Sequence, residues 1–156
     1  MQYNADTISG YVATCSGLSL VFTNGCFDIL HPGHIQYLAA AKALGDRLIV
    51  GINSDDSVRK LKGPHRPIHH QAFRMTMVAA LRSVDAVVLF DEATPTRLLR
   101  IIKPHIHVKG GDYTPTDLPE YDTVVAYGGQ VRCLAFVPGY STTAIIQQIQ
   151  QIPATE

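Results

Sequence analysis

His31 and His34 stand three residues apart, with Pro32 and Gly33 between them, a spacing that sets two imidazoles on neighbouring positions of a helical first turn. Pro32 suits an early helical position, where its missing N–H is no loss. Gly33 has no side chain, so a ligand can approach the backbone there. Unpaired N–H groups at such a helix start favour anions, and the two rings would face a bound phosphate. Further along, no acidic residue occurs between Asp56 and Asp85, while Arg59, Lys60, Lys62, Arg66, Arg74 and Arg82 fall inside that stretch with three histidines. In a chain of balanced charge, this segregation suggests a local anionic partner, with a solvated basic face as the plain alternative. The chemistry implied is the binding of phosphate groups.

Each candidate also has an ordinary explanation. Paired histidines can be half of a zinc site, with His65, His69 and His70 as the remaining ligands, but no zinc-finger or HExxH spacing is present. Asp28 is better suited to orienting the motif or to contacting the water shell of a magnesium ion. Cys26 reads as a small packed residue, since no base lies beside it in sequence. His105 and His107 alternate with Ile106 and Val108 and read as strand residues. Ser141, Thr142 and Thr143 suit the capping of a last helix, a role compatible with binding phosphate at the same place. The chain has no GxxxxGK loop, no GxGxxG after the first strand and no GxSxG elbow, so P-loop, dinucleotide-binding and hydrolase readings fall away.

The elements that must position these residues alternate between two periods. Apolar runs predict strands at 18–23, 47–53, 85–90, 105–109 and 130–136. Helical patterns predict 32–44, 54–60, 69–83, 94–103, 117–127 and 141–151, with a short leading helix at 5–15. Gly45 is expected as a helix-ending glycine, and Thr94 as an N-cap before Pro95. Lys60 and Lys62 are expected just beyond a helix, on a loop before Gly63-Pro64. Such alternation implies parallel strands joined by right-handed crossovers. The expected fold is an α/β, Rossmann-like three-layer sandwich with a five-stranded parallel sheet, order 3-2-1-4-5. One domain is expected across residues 1–156, with a leading segment 1–17 and a core 18–151. In that order, the histidine motif, Lys109-Gly-Gly-Asp112 and Gly139-Tyr-Ser-Thr-Thr143 would meet where strand order reverses.

Composition sets the bounds. The chain has 156 residues, 46% hydrophobic and 17% charged, with formal net charge zero, so neither nucleic acid nor an anionic membrane is an expected partner. No apolar run reaches membrane-spanning length, and Met1 to Gly17 lacks the pattern of a signal peptide. Three scattered cysteines suggest reduced thiols and a cytoplasmic location.

The ensemble resembles the cytidylyltransferase-like nucleotidyltransferases, whose HxGH signature reads here as His31-Pro-Gly-His34. The resemblance covers nearly everything from Leu18 to Ile149. It is more specific to the heptose 1-phosphate adenylyltransferase domains, through Asn24-Gly-Cys-Phe-Asp-Ile-Leu-His-Pro-Gly-His34, Leu61-Lys-Gly-Pro-His-Arg-Pro67, Val108-Lys-Gly-Gly-Asp-Tyr113 and Gly139-Tyr-Ser-Thr-Thr143. By that resemblance, AMP passes from ATP to D-glycero-β-D-manno-heptose 1-phosphate, in a homodimer, with magnesium carried mainly by the phosphates. His31 and His34 would contact the nucleotide phosphates, assisted by Lys60 or Lys62 and by Arg74. The nucleotide pocket would include Asn24, Gly25, Cys26, Phe27, Gly33, Lys109, Gly110, Asp112, Tyr140, Ser141, Thr142 and Thr143. Asp28, Lys62 and Arg66 would serve the sugar phosphate. The family's ISSTxxR signature has no arginine here, since Ile145 or Ile146 stands in its place. Alternatives are a glycerol-3-phosphate cytidylyltransferase, an FAD synthetase-like enzyme, or a nucleotide-binding module without catalysis.

Overall fold

The computed structural model describes residues 1–135 and 138–153. Seven segments begin it: β1 (Gln2–Asn4), α1 (Ile8–Thr14), β2 (Leu20–Gly25), α2 (Pro32–Lys42), β3 (Arg47–Asn53), α3 (Asp55–Lys62) and α4 (Gln71–Ala79). Then come β4 (Ala86–Phe90), α5 (Thr96–Ile102), β5 (Ile106–Gly110), a 3-10 turn (Pro115–Asp117), α6 (Tyr121–Ala126), β6 (Gln130–Leu134) and α7 (Thr142–Gln150). No helix among the described residues is long and apolar enough to cross a membrane.

All strand pairs are parallel, in the order β1-β4-β3-β2-β5-β6. The five strands foreseen thus lie in the foreseen order, but the sheet has a sixth. β1 adds to the edge beyond β4, placing Gln2, Tyr3 and Asn4 against Val87, Val88 and Leu89. Three residues are too few to show a period, so pairing with β4 is what makes this segment a strand.

Side chains on successive strand positions point to opposite faces, which divides the core in two. Phe22, Ile49 and Val88 pack with Ile8 and Tyr11 of α1, Leu98 and Leu99 of α5, and Val124 of α6. Val21, Leu48, Val50, Ile52 and Val87 pack with Leu38 and Ala41 of α2 and Met75 and Val78 of α4. Strands buried on both faces read as nearly continuous apolar runs, the pattern seen in β3 and β4.

Several boundaries differ from those expected. α3 runs on through Lys62, so Lys60 and Lys62 occupy its last turn and not a following loop. α4 begins only at Gln71, because residues 68 and 69 are tied elsewhere. Pro95, not Thr94, caps α5, and the Thr94 hydroxyl pairs with that of Thr96. The helix expected at 117–127 splits into the 3-10 turn and α6. The strand expected at 130–136 is seen over 130–134, and residue 136 lies outside the described residues.

Gly45 is also corrected. It is not among the glycines with positive φ, so it does not end α2 by a left-handed turn. A Cβ there would lie 2.8 Å from both the Ser19 carbonyl oxygen and Val21 Cγ2, so the glycine lets the α2–β3 connection pass against β2. Gly45→Ala should therefore destabilise the protein by about 1–3 kcal/mol. Urea unfolding should show a lower midpoint with an unchanged slope.

Candidate active site

The connection from β2 to α2 carries the histidines in an unfavourable backbone. Phe27 and Ile29 have φ of 49° and 53°, and a branched residue such as Ile29 seldom adopts that region. Surrounding bonds must hold such a turn in place. The Asp28 carboxylate accepts from Arg66 Nε at 2.8 Å and from the N–H groups of Ile68 and His69 at 2.8 and 2.9 Å. Burial by itself would raise the Asp28 pKa, but these bonds and the Arg66 charge outweigh it and bring it below the usual carboxylate value.

Arg74 fastens the same turn from below. Its side chain is fully buried. Nε donates to the His69 carbonyl at 2.9 Å, and one terminal nitrogen donates to the Cys26 carbonyl at 2.6 Å. The other donates to the Asn53 carbonyl and to Asp55 Oδ1, both at 2.8 Å. Two expectations are corrected here. Arg74 is occupied in tying three segments together and does not reach out to phosphate. Asp28, its side chain wholly shielded from solvent and bound by three donors, does not face a substrate; it orients the motif.

Above this base, His31 caps α2 with extended backbone and no side-chain cap; Pro32 has no N–H and the His34 N–H donates to the His31 carbonyl at 2.9 Å, so the Gly33 N–H is the first-turn donor left open to an anion. The two rings stack, with centroids 3.8 Å apart and planes at 25°. Phe27 lies against His34 at 5.4 Å. Both Nδ1 atoms are buried without a partner among the described residues, which leaves the Nε2 edges for a ligand. Desolvation lowers the His31 pKa. Desolvation and the neighbouring His31 together bring His34 down to about 4, against a smaller opposing pull from Asp28. Both shifts favour the neutral imidazole near pH 7, in which each ring can offer one N–H to a ligand.

The distant segments come together at this point. The Thr142 hydroxyl donates to the Asp28 carbonyl at 2.7 Å. The Tyr140 ring runs nearly parallel to His31 at 6.3 Å. Gly33 permits that approach, for a Cβ on it would sit 3.2 Å from Tyr140 Cβ. Ser141 caps α7 by accepting from the Ala144 N–H, and Thr143 is exposed beside it. From the other side, Lys109 Nζ donates to Asn24 Oδ1 at 3.2 Å. Gly25 and Gly110 end β2 and β5, and Asp112 is exposed just past the latter.

Two residues of a helix are turned about 200° apart, so Lys60 and Lys62 cannot both face the site. Lys62 acts on the Cys26 thiol, whereas Lys60 acts on Asp56. Lys62 is the cation on the motif's side. Arg66 commits Nε to Asp28, and its terminal nitrogens take no partner among the described residues. The Cys26 thiol is pushed up by burial despite three nearby cations, as suits a packed residue. Among the described residues no group of three or more His, Cys, Asp or Glu side chains could hold a metal ion.

Two acidic residues in this region escaped the sequence reading. Asp55 pairs with Arg74, and Glu120 with Lys109 at 2.9 Å. Each is one acidic residue among many until folding brings its partner near.

Two measurements check these assignments. Asp28→Asn removes a carboxylate from three donors and should cost about 1.5–3 kcal/mol. The wild-type contribution is present above the ordinary carboxylate range and is lost as acid protonates Asp28, so the variant should also lose less on acidification. For His34 the folded pKa of about 4 lies below the ordinary 6.5, so the unfolded chain takes up its proton first. Stability from this source is full above pH 6.5 and lost as pH falls toward about 4. In the ligand-free protein, His34→Gln should flatten that part of the curve of urea midpoint against pH.

Comparison with known proteins agrees with this geometry. The Cytidylyltransferase-like family model matches residues 22–148. The "Bifunctional protein HldE" of Marinomonas sp. (strain MWYL1) is 53% identical over 137 residues, covering 88% of this chain and 29% of that protein. The protein of that name from Methylococcus capsulatus is 56% identical over 136 residues, covering 86% of this chain and 29% of its own. The chain thus spans less than a third of the length of these relatives. A crystal structure of the lipopolysaccharide core biosynthesis protein from Thermoplasma volcanium GSS1 superposes with a TM-score of 0.64 at 30% identity, covering 78% of this chain and 98% of that one. Pantoate-beta-alanine ligase from Francisella tularensis shares the fold at a TM-score of 0.59 and 14% identity, covering all of this chain and 80% of that one. With a family model matching most of its length around the paired histidines, the chain belongs to the cytidylyltransferase-like family of nucleotidyltransferases.

Proposed function

We propose that this chain transfers the adenylyl group of ATP to D-glycero-β-D-manno-heptose 1-phosphate, forming ADP-heptose and pyrophosphate for lipopolysaccharide or surface heptose synthesis. The observation that carries the reading is the stacked His31–His34 pair at the open start of α2. The choice of sugar rests on the resemblance of the Leu61 to Pro67 and Val108 to Tyr113 segments to heptose 1-phosphate adenylyltransferase domains, and the likeness to a lipopolysaccharide core biosynthesis protein supports it.

In the reaction, a phosphate oxygen of the sugar phosphate attacks the α-phosphorus of ATP. The new oxygen–phosphorus bond forms as the bond to the β-phosphate oxygen breaks, and the electron pair leaves with pyrophosphate. The attacking oxygen is already anionic, so no general base is needed. Positioning and charge neutralisation do the work. The Nε2 edges of His31 and His34 donate to oxygens of the α- and β-phosphates. Arriving negative charge also raises both histidine pKa values, so the rings can gain protons as the phosphates settle. Lys62 and the free nitrogens of Arg66 hold phosphate oxygens from the α3 side. Arg74 and Asp28 keep the turn in the shape that aims the rings. Magnesium, where bound, would be held mainly by the ATP phosphates and would neutralise part of their charge.

The test is pyrophosphate release from ATP and the heptose 1-phosphate, with CTP and glycerol 3-phosphate as controls. His34→Ala should lower turnover by about 10²–10³ while the fold is kept. Near-normal turnover in a folded His34→Ala protein would refute the assignment, and faster release from CTP would replace adenylyl with cytidylyl transfer.

A further inference from the structure

Lys109 and Glu120 form a charged contact that no step above requires. Both ends are sheltered: the Lys109 side chain is 22% exposed and the Glu120 side chain 2%. Glu120 immediately precedes α6, yet its side chain makes no cap bond to that helix. It turns across to the sheet, where Oε1 accepts from Lys109 Nζ at 2.9 Å. Oε2 is buried with no partner among the described residues. A sheltered carboxylate pays in lost hydration, and here Lys109 is its compensating contact.

The direction of Lys109 follows from strand alternation. Phe22 and Asn24 of β2 share a face with His107 and Lys109 of β5, as the stacking of Phe22 on His107 at 5.6 Å and the Asn24–Lys109 bond show. That face carries α5 and α6, whereas the imidazoles begin α2 on the other. Lys109 is therefore placed at the carboxyl end of β5, across β2 from the histidines, where strand order reverses.

We propose that Glu120 is a positioning residue: it holds the Lys109 ammonium against Asn24, and so presents a cation to the nucleotide from the side of β2 opposite the imidazoles. The inference rests on the adenylyltransferase reading for the identity of that nucleotide. Neutral glutamine in place of Glu120 keeps the shape but releases the ammonium. Because Lys109 lies away from the imidazole pair, its contact serves ground state and transition state alike, and its loss appears in KM and not in kcat.

The experiment is a double-mutant cycle on Lys109→Met and Glu120→Gln. Binding of α,β-methylene-ATP is measured by titration calorimetry, KM and kcat for ATP by pyrophosphate release, and folding by thermal melts. Each single variant should weaken analogue binding and raise KM about tenfold, as loss of one charged contact does, with kcat within about threefold. The double variant should be no worse than Lys109→Met alone. If Glu120→Gln does not fold, Glu120→Asp, which draws the charge back by one methylene, should shift binding in the same direction. Unchanged binding in the Glu120 variant, or losses that multiply in the double variant, would overturn the inference. Analogue binding that follows the cycle while no pyrophosphate is released would instead count against the proposed reaction alone.

Discussion

The buried guanidinium of Arg74 is the contact on which the site's shape depends. It collects carbonyl groups from the β2–α2 turn, the end of β3 and the segment before α4, and pairs with Asp55 at the start of α3. Cationic donors in a fixed fork suit this task, since one side chain satisfies four acceptors in a place water does not reach. The turn above it needs such support, because two of its residues occupy left-handed backbone regions. Asp28 supplies the complementary tie, a negative charge bound by one arginine and two backbone N–H groups. Together these opposite charges convert an unfavourable loop into a rigid mount for two imidazoles.

The electrostatics of the mount follow from its packing. Stacked on each other, with Phe27 tilted against His34, the rings lose hydration that would favour their charged forms, His34 most of all. Two adjacent cations would repel, so neutrality lets them stack at all. A polyphosphate reverses that balance, because its charge compensates the protons the protein alone disfavours. The site is thereby arranged to gain positive character as its anionic ligand arrives. The exposed Lys62 and half-committed Arg66 add permanent charge at the rim.

Much of this was readable along the chain. The central strands β2, β3 and β4 announce themselves as apolar runs, because a parallel sheet covered on both faces requires apolar residues at nearly every position. Right-handed crossovers follow from the alternation of strands and helices, whereas the order of the strands comes from their pairing. The site's approximate place follows from glycine, proline and histidine at one helix start. Failures have a common cause. β1 is too short to carry a period and exists by pairing with β4. Gly45 looked like a helix ending but is a contact with Ser19 and Val21, residues on another element. Arg74 looked like a phosphate ligand because its charge lay in a basic stretch, while its burial depends on segments up to 48 residues away.

By itself, then, the chain's order of residues determined the kinds of elements and which short segments stand out as candidates for chemistry, since those depend on local periods and on backbone demands at single positions. Only tertiary structure decided which charges face a ligand and which face each other. Lys62 was separated from Lys60 by helical turn, and Asp28 and Arg74 were taken up as internal ties. Glu120 was matched with Lys109 across the sheet's edge. The physical reason is that a charge acquires its role from the partner within a few ångströms, and such partners are chosen by packing, not by position along the backbone.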